Sequence, residues 1–297
     1  MHRRYLSLVL LVLVVAAVPM FGAHAWGTYH WAKAASAEVT VPVTMNISGQ
    51  WPSYASRVMS DWNASSEINS PWSYGAISST KRCTSATGKI EVCNNTYGQN
   101  GWLGIAGISL SGGHIVKGYT KLNDTYYNMA QYNTPAWRQM VFCQEVGHDY
   151  GLGHQNEIFT NVNVGSCMDY TNAPQGGVLN GFNYGLANLY PNAHDYDQLV
   201  AIYNHSDATL PFDAMVDDAT RPRKFEEVMA SAEQWGTPIR FDAEGRPTVF
   251  FLKTGTNHND DGKMTDGEIT HVFWAPVDPF ADTNEGGFGG NRDGRRQ

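Results

Sequence analysis

The stretch CQEVGHDYGLGH near the middle of the chain combines residue types that can bind a metal ion and use it in catalysis. Gln144 and His148 are spaced so that, on a helix, their side chains project from one face and can share one ion. Gly151 permits a sharp turn, after which His154 can approach from another direction. Three protein ligands leave a fourth position for water, and Glu145 is a candidate general base. The spacing therefore predicts a zinc site held by Gln144, His148 and His154.

Gln144 is the least usual member of this set. The Oε1 of glutamine and the Nε2 of histidine lie equally far along the side chain from Cβ, and both groups are neutral, so the charge of the site is unchanged. An amide oxygen binds zinc more weakly than imidazole does, so we expect a looser site. Two alternatives stay open. In one, Gln144 is a hydrogen-bonded amide in the wall of a two-histidine site; in the other, the histidines are ordinary core residues.

The helix that would carry these residues has clear start and stop signals. Thr134 is suited to the N-cap, and Pro135 takes the first helical position, where a missing N–H costs nothing. Gly151 follows the last turn and can adopt the left-handed conformation that ends a helix. The apolar stripe of this helix continues through Gln144 and His148, so both polar groups should be buried and need partners.

The motif spells QExxHxxGxxH, and a second segment, GSCMDY, follows it in the chain. Together they resemble the metzincin clan of zinc peptidases, whose signature is HExxHxxGxxH with a later methionine turn. The resemblance covers roughly residues 39–205 and departs from the clan's pattern at Gln144. It implies an α+β fold with a twisted mixed sheet, an active-site helix and a methionine turn. In that family Glu145 would be the general base, Tyr170 would stabilise the oxyanion, and Met168 would pack beneath the metal.

The elements before and after the motif follow from local patterns. Residues 39–48 read as a strand, 51–63 as a helix and 101–110 as a central strand. The lysines and glycines of 112–122 suggest an exposed edge strand, along which a peptide substrate would add as a further strand. Residues 191–205 predict a final helix, whose inner face would carry Tyr196, Leu199, Val200 and Tyr203.

A small C-terminal region lies beyond the resemblance. It predicts a helix at 224–235 and strands at 246–253 and 268–275, which together form an α/β-hairpin region. The loop between the strands has the spacing of a calcium site, but its strand-like flanks favour a polar hairpin loop. Four further histidines lack ligand spacing and are interpreted as structural: His114, His194, His205 and His271. The predicted divisions are a signal peptide at 1–25, a peptidase-like domain at 26–210, the C-terminal region at 211–280 and a disordered tail at 281–297.

The first residues have a basic start, an apolar run and a small-residue cleavage site, which is typical of a secretory signal peptide. The alternative is an uncleaved membrane anchor, which the short apolar run disfavours. Export favours disulfides among the four cysteines, and four cysteines allow three pairings. We favour Cys83 with Cys93, which closes a short loop. From the resemblance we favour Cys143 with Cys167, which would join the metal helix to the methionine turn.

Composition limits the partners. Hydrophobic residues make up 42% of the chain, enough for a packed core, and the formal net charge is -8, which disfavours nucleic acid. We expect a secreted monomer that acts on a protein or peptide substrate and is not membrane-inserted after signal cleavage. The first hypothesis is a secreted zinc-dependent endopeptidase. The second is a catalytically inactive, metzincin-like secreted binding module.

Overall fold

The computed structural model describes residues 29–33, 38–76, 81–205, 207, 235–254 and 266–276. Within them the chain has an α+β fold, in which a large mixed sheet is accompanied by a few helices. The predicted signal peptide, the tail, and most of the predicted C-terminal helix and of the calcium-type loop lie outside the described residues. No helix in the described part of the chain is both long enough and apolar enough to cross a membrane.

The elements follow one another in an order close to the predicted one. The strands are β1 (His30–Trp31), β2 (Val39–Thr40), β3 (Val43–Asn46), β4 (Ile68–Asn69), β5 (Trp72–Tyr74), β6 (Ile90–Asn95), β7 (Trp102–Ser111), β8 (His114–Asn123), β9 (Val178–Leu179), β10 (Phe182–Asn183), β11 (Thr237–Phe241), β12 (Pro247–Lys253) and β13 (Gly267–Trp274). The helices are α1 (Pro52–Trp62), α2 (Asp124–Tyr127), α3 (Pro135–Asp149) and α4 (Ala193–Tyr203).

The main sheet has the strand order β11-β12-β13-β7-β8-β6-β3-β5, and β1 pairs with the start of β8. Strands β8, β6, β3 and β5 are parallel to one another, whereas β11, β12, β13, β7 and β8 alternate in direction. The helix α3 lies across the middle of this sheet, against β7, β8 and β13. Gly104 on β7 permits the close approach, because a Cβ there would lie 2.5 Å from Glu145 Oε1.

The prediction that residues 112–122 form an exposed edge strand is wrong. β8 lies inside the sheet, hydrogen-bonded to β7 on one side and to β6 on the other. A peptide therefore cannot add to this strand, because it has no free edge. The lysines misled the prediction: Lys121 is fully buried, and its ammonium group lies over the rings of Tyr97 and Tyr119, 5.7 and 5.1 Å from their centroids.

Lys121 gives a prediction about stability. Burial lowers the pKa of Lys121 to about 7, so between about pH 7 and 10 the unfolded chain binds more protons than the folded chain. The free energy of unfolding therefore rises with pH across this window. Below the window, the full cost of burying the charged ammonium group of Lys121 is present. Lys121→Met should stabilise the protein at pH 7 by up to about 4 kcal/mol and flatten this dependence. Chemical unfolding at several pH values measures the free energy of unfolding, with Lys117→Met as the control. Equal effects of the two substitutions would contradict a special cost of burying Lys121.

The C-terminal region is continuous with the main sheet. β13 pairs with β7 along its whole length, and β12 and β11 follow outward. The predicted strands at 246–253 and 268–275 are thus present within a residue or two.

Two predictions elsewhere in the chain need correction. The predicted strand at 39–48 is split into β2 and β3 at Val41 and Pro42. On α4, Leu199 and Tyr203 are buried as predicted, but Val200 is exposed, and Ile202 takes its place in the core.

Both favoured disulfides are present. Cys83 bonds to Cys93, and Cys143 on α3 bonds to Cys167. The second bond joins the middle of α3 to the GSCMDY segment, whose Met168 is fully buried under the helix. Gly147 leaves the space for it, because a Cβ at that position would lie 2.6 Å from Met168 Sδ. The helix and this turn are therefore fixed to each other both covalently and by packing.

Candidate metal centre

The ends of α3 are built as the sequence predicts. Thr134 caps the first turn by accepting the amide N–H of Trp137 at 3.2 Å, and Pro135 begins the helix. The helix ends at Asp149, and Gly151 follows with a φ of 94°. Because this left-handed conformation favours glycine, the chain can reverse there and return towards the helix. The reversal brings His154 beside His148.

The two histidines are each held through Nδ1 and lie against each other. Their ring centroids are 4.5 Å apart, with the planes nearly perpendicular at 87°. His148 Nδ1 lies 2.8 Å from the carbonyl oxygen of Leu152, which can only accept, so this nitrogen carries the proton. His154 Nδ1 lies 2.7 Å from Glu157 Oε1. His148 Nε2 is therefore left with a lone pair, which is the form of histidine that binds a metal, and the bond to Glu157 holds His154 through Nδ1 in a similar way.

Glu157 was not predicted, although it orients a predicted ligand. Burial opposes ionisation of Glu157, but the hydrogen bond and charge of His154, together with Arg240, outweigh it and lower the pKa of this carboxyl. An ionised carboxylate behind an imidazole fixes its tautomer and raises its basicity. The sequence does contain His-x-x-Glu at this point. That spacing alone does not predict the contact, because it depends on the path of the chain after the turn at Gly151.

Gln144 lies one turn before His148 on the same helix and is fully buried. Its Nε2 donates to the carbonyl oxygen of Cys167 at 2.9 Å, which fixes the direction of the amide. Its Oε1 has no hydrogen-bond donor among the described residues. A buried oxygen without a donor is costly, and a cation would satisfy it. This arrangement fits a ligand better than a fully bonded amide in the pocket wall.

His271 on β13 joins the pair, although sequence reasoning interprets it as structural. Its ring stacks on that of His148, with centroids 4.0 Å apart and planes 17° from parallel. One ligand atom from each of His148, His154 and His271 lies within 4.8 Å of the others. Tyr29 Oη is 3.3 Å from the Nε2 of His271. No local pattern could have linked this histidine to the motif, because only the pairing of β13 with β7 brings it there.

Burial disfavours the charged forms of His148 and His271. Burial, followed by the imidazoles of His271 and His154, lowers the pKa of His148 well below its usual value. Burial and His154 likewise lower the pKa of His271, with Arg240 on β11 adding to the effect. Neutral imidazoles such as these are suited to a cation, since each offers a lone pair and does not repel it.

Glu145 and Tyr170 are the two predicted catalytic residues. Glu145 is fully buried, its carboxylate oxygens have no hydrogen-bond partner in the described parts of the chain, and burial followed by Asp149 raises its pKa well above its usual value. Tyr170 lies against His154, with ring centroids 4.5 Å apart, and its Oη donates to the backbone oxygen of Val272 at 3.2 Å. Burial first, and then the charges of Glu157 and Glu145, raise the pKa of Tyr170.

β13 closes the centre from the outside. The side chains of Gln144, Glu145, His148, His154 and Tyr170 are at most 3% exposed. β13 runs antiparallel to β7 and occupies the edge that β7 would otherwise offer, with Phe273 opposite Gly104. Phe273 also fills an aromatic recess, since its ring centroid lies 4.8 to 6.3 Å from those of Tyr170, Phe159 and Trp137.

Comparison with known proteins leaves this geometry without a family. No protein-family model matches the chain, and no curated protein is significantly similar to it. The structure brings together the predicted His148, His154 and Tyr170, with Gln144 and Glu145 on the same helix, and adds Glu157 and His271. The arrangement can bind a cation through nitrogen ligands, with the carboxyl group of Glu157 and the ring of Tyr170 against His154.

Proposed function

We propose that this chain is a secreted zinc-dependent endopeptidase of the metzincin type, held in a latent form. The observation that carries the proposal is the convergence of His148 and His154, whose ligand atoms lie within 4.8 Å of each other and of His271. His148 donates from Nδ1 to a fixed acceptor and keeps Nε2 for a metal, and His154 is held through Nδ1 by Glu157. The two disulfides support the extracellular location, because such bonds persist in oxidising compartments.

The residues present fit a catalytic zinc ion. His148 and His154 supply nitrogen ligands, and the buried Oε1 of Gln144 supplies the third. Zinc bound there would lower the pKa of a coordinated water to about 7 and polarise a substrate carbonyl. Glu145, in its ionised form, would accept the proton of the attacking water and pass it to the leaving amine. Tyr170 donates from Oη to the oxygen of the carbonyl under attack.

β13 occupies the centre in the way that a substrate would. A peptide that adds to the free edge of β7 pairs with it by main-chain hydrogen bonds, and β13 makes this kind of pairing. The carbonyl of Val272 accepts the Tyr170 hydroxyl, as the scissile carbonyl of a substrate should. The next side chain, Phe273, fills the aromatic recess. His271 stands beside the histidine ligands, where it competes for the open position of the ion.

The same arrangement indicates a substrate class. The recess beside Tyr170 accepts the phenyl ring of Phe273, so it would favour a large apolar side chain directly after the scissile bond. A groove of about 640 Å³ continues from this point and includes Trp137, Asn172, Leu179 and Tyr184 in its walls. The proposed substrates are therefore extended or unfolded protein segments with aromatic residues at this position.

Gln144→His gives a direct test of the ligand set. Imidazole is a better zinc ligand than an amide oxygen, so the variant should bind zinc roughly tenfold or more tightly, which corresponds to about 1.4 kcal/mol. Competition with a chromophoric chelator measures the affinity. Gln139→His places the same substitution on the same helix, where the amide bonds to Leu189 and not to Cys167, and should leave the affinity unchanged. Unchanged affinity in Gln144→His would mean that residue 144 does not touch the ion.

A second function is favoured by one observation, the closure of the centre by β13. If β13 never leaves, the chain is a catalytically inactive secreted binding module in which His148, His154 and His271 hold a structural ion. The two functions predict different activities once β13 is loosened. The peptidase then cleaves denatured protein in a zinc-dependent manner; a zinc-loaded protein with loosened β13 that cleaves nothing would contradict the peptidase proposal.

A further inference from the structure

We propose a second metal site, formed by His30, His114, His205 and Asp207. It would bind zinc or another divalent ion that prefers the same ligands. Three parts of the chain meet there. β1 supplies His30, the first residue of β8 is His114, and the segment just after α4 supplies the other two. The parallel pairing of β1 with β8 sets His30 opposite His114. The site does not depend on the proposed peptidase function.

The distances around Asp207, and that between His30 and His205, are close to those of a coordination shell; the ligand atoms of His30, His205 and Asp207 all lie within 4.8 Å of one another, and His114 joins them through Asp207. Asp207 Oδ1 lies 3.2 Å from His30 Nε2, 3.2 Å from His114 Nε2 and 3.3 Å from His205 Nε2. The Nε2 atoms of His30 and His205 are 2.9 Å apart. Ligand atoms about 2.0–2.1 Å from a tetrahedral zinc ion are about 3.3–3.4 Å from one another. The cluster therefore needs only a small expansion to receive an ion at its middle.

Asp207 is held so that one of its oxygens faces the cluster. Its Oδ2 accepts the backbone N–H of Lys33 at 2.8 Å, and its own N–H donates to the carbonyl oxygen of Lys33 at 3.1 Å. Oδ1 is thereby left to the three histidines. A single oxygen facing three imidazole nitrogens is a crowded hydrogen-bonding arrangement, whereas the same four atoms around a cation would each direct a lone pair at it.

The chemistry of the ligands selects the ion. Three imidazoles and one carboxylate suit zinc and other borderline divalent ions, whereas calcium and magnesium require mostly oxygen ligands. The cluster is open to solvent on one side, because the side chain of His205 is 42% exposed and that of His30 only 12%. An ion can therefore enter past His205 without unfolding of the strands.

An ion here would support the first metal centre. β1 continues into Trp31, whose Nε1 donates to the carbonyl oxygen of Asp149 at the end of α3. The backbone of Tyr29 packs against the turn at Gly151. A Cβ on that glycine would lie 3.1 Å from the Tyr29 carbonyl oxygen. Fixing His30 to β8 and to the end of α4 thus holds β1 over the turn that positions His154.

The test uses the full chain, stripped with a chelator and titrated with zinc by calorimetry. His205→Gln and Asp207→Asn should each lose one equivalent of bound zinc, or bind one equivalent at least about tenfold more weakly. Asp207→Asn keeps the shape of the side chain, so circular dichroism should show an intact fold. His194→Gln changes another histidine of the α4 region, one without a place in the cluster, and should bind as the unaltered protein does.

The two metal centres can be told apart in the same experiment. His148→Ala removes a ligand of the first centre. If the protein has both sites, His148→Ala loses one equivalent of zinc, and His205→Gln loses the other. Binding that is lost with His205→Gln but unchanged by His148→Ala would support the second site and count against the peptidase centre. Equal zinc binding by the unaltered protein, His205→Gln and Asp207→Asn would overturn the second site, as would loss of all bound zinc in His148→Ala.

Discussion

Thr270→Pro is expected to raise the rate of zinc-dependent hydrolysis of a denatured protein by at least about tenfold. Thr270 lies in β13 between Phe250 of β12 and Gly107 of β7. Proline has no N–H for the ladder and its ring crowds the neighbouring strand, which costs more than the roughly 1.4 kcal/mol that changes a population tenfold. The open form, in which β7 has a free edge, therefore becomes more populated.

The matched control is Thr270→Ala. Thr270 alternates with His271 along β13, so its side chain points to the opposite face of the sheet from the metal centre. Alanine at this position keeps the backbone hydrogen bonds of β13 and should leave the rate near that of the unaltered protein. Circular dichroism and zinc content establish that both variants remain folded and loaded. If folded, zinc-loaded Thr270→Pro is no more active than Thr270→Ala, β13 is not a blocking strand.

Glu145→Gln is expected to remove this activity while the protein keeps its zinc. Glutamine has nearly the same shape as glutamate but cannot accept the proton of the attacking water, and a general base contributes about 10²- to 10⁴-fold to the rate. Because Glu145 is adjacent to the proposed ligand Gln144 but is not itself a ligand, zinc affinity should change little. The variant is best made together with Thr270→Pro, where the starting rate is highest.

The control for this change is Asp197→Asn, which removes a carboxylate from the exposed face of α4. It should leave both the rate and the zinc content unaltered. A Glu145→Gln protein that retains most of the activity would show that another group takes the proton. A variant that loses zinc together with activity would instead assign Glu145 a role in metal binding.

Several features of the fold could be predicted because their causes are local. Thr134, Pro135 and Gly151 define α3 through capping and backbone conformation, which depend on a few neighbouring residues. The strands of the C-terminal region were visible in their alternating patterns. The pairing of Cys83 with Cys93 followed from their closeness in the chain, whereas that of Cys143 with Cys167 came from the family resemblance. For the same reason His148 and His154 could be predicted to meet, since Gly151 provides the turn between them.

Other features could not be predicted, because they depend on which strands pair. Lys121 suggests an exposed strand by composition, yet the parallel neighbour β6 buries it. His271 is distant in the chain from His148 and reaches it only because β13 pairs with β7. His30 and Asp207 meet for a similar reason, through β1 and the end of α4. Long-range pairing leaves little trace in a single sequence.

The claim that His148, His154 and Glu145 form a zinc peptidase centre is tested most directly by one measurement. It is the rate at which the Thr270→Pro protein cleaves a denatured protein, recorded after chelation and again after zinc is restored. The account predicts that cleavage stops with the chelator, returns with zinc and is absent when Glu145→Gln is added. Cleavage that persists in the chelator, or none from a folded protein with zinc at His148 and His154, would contradict it.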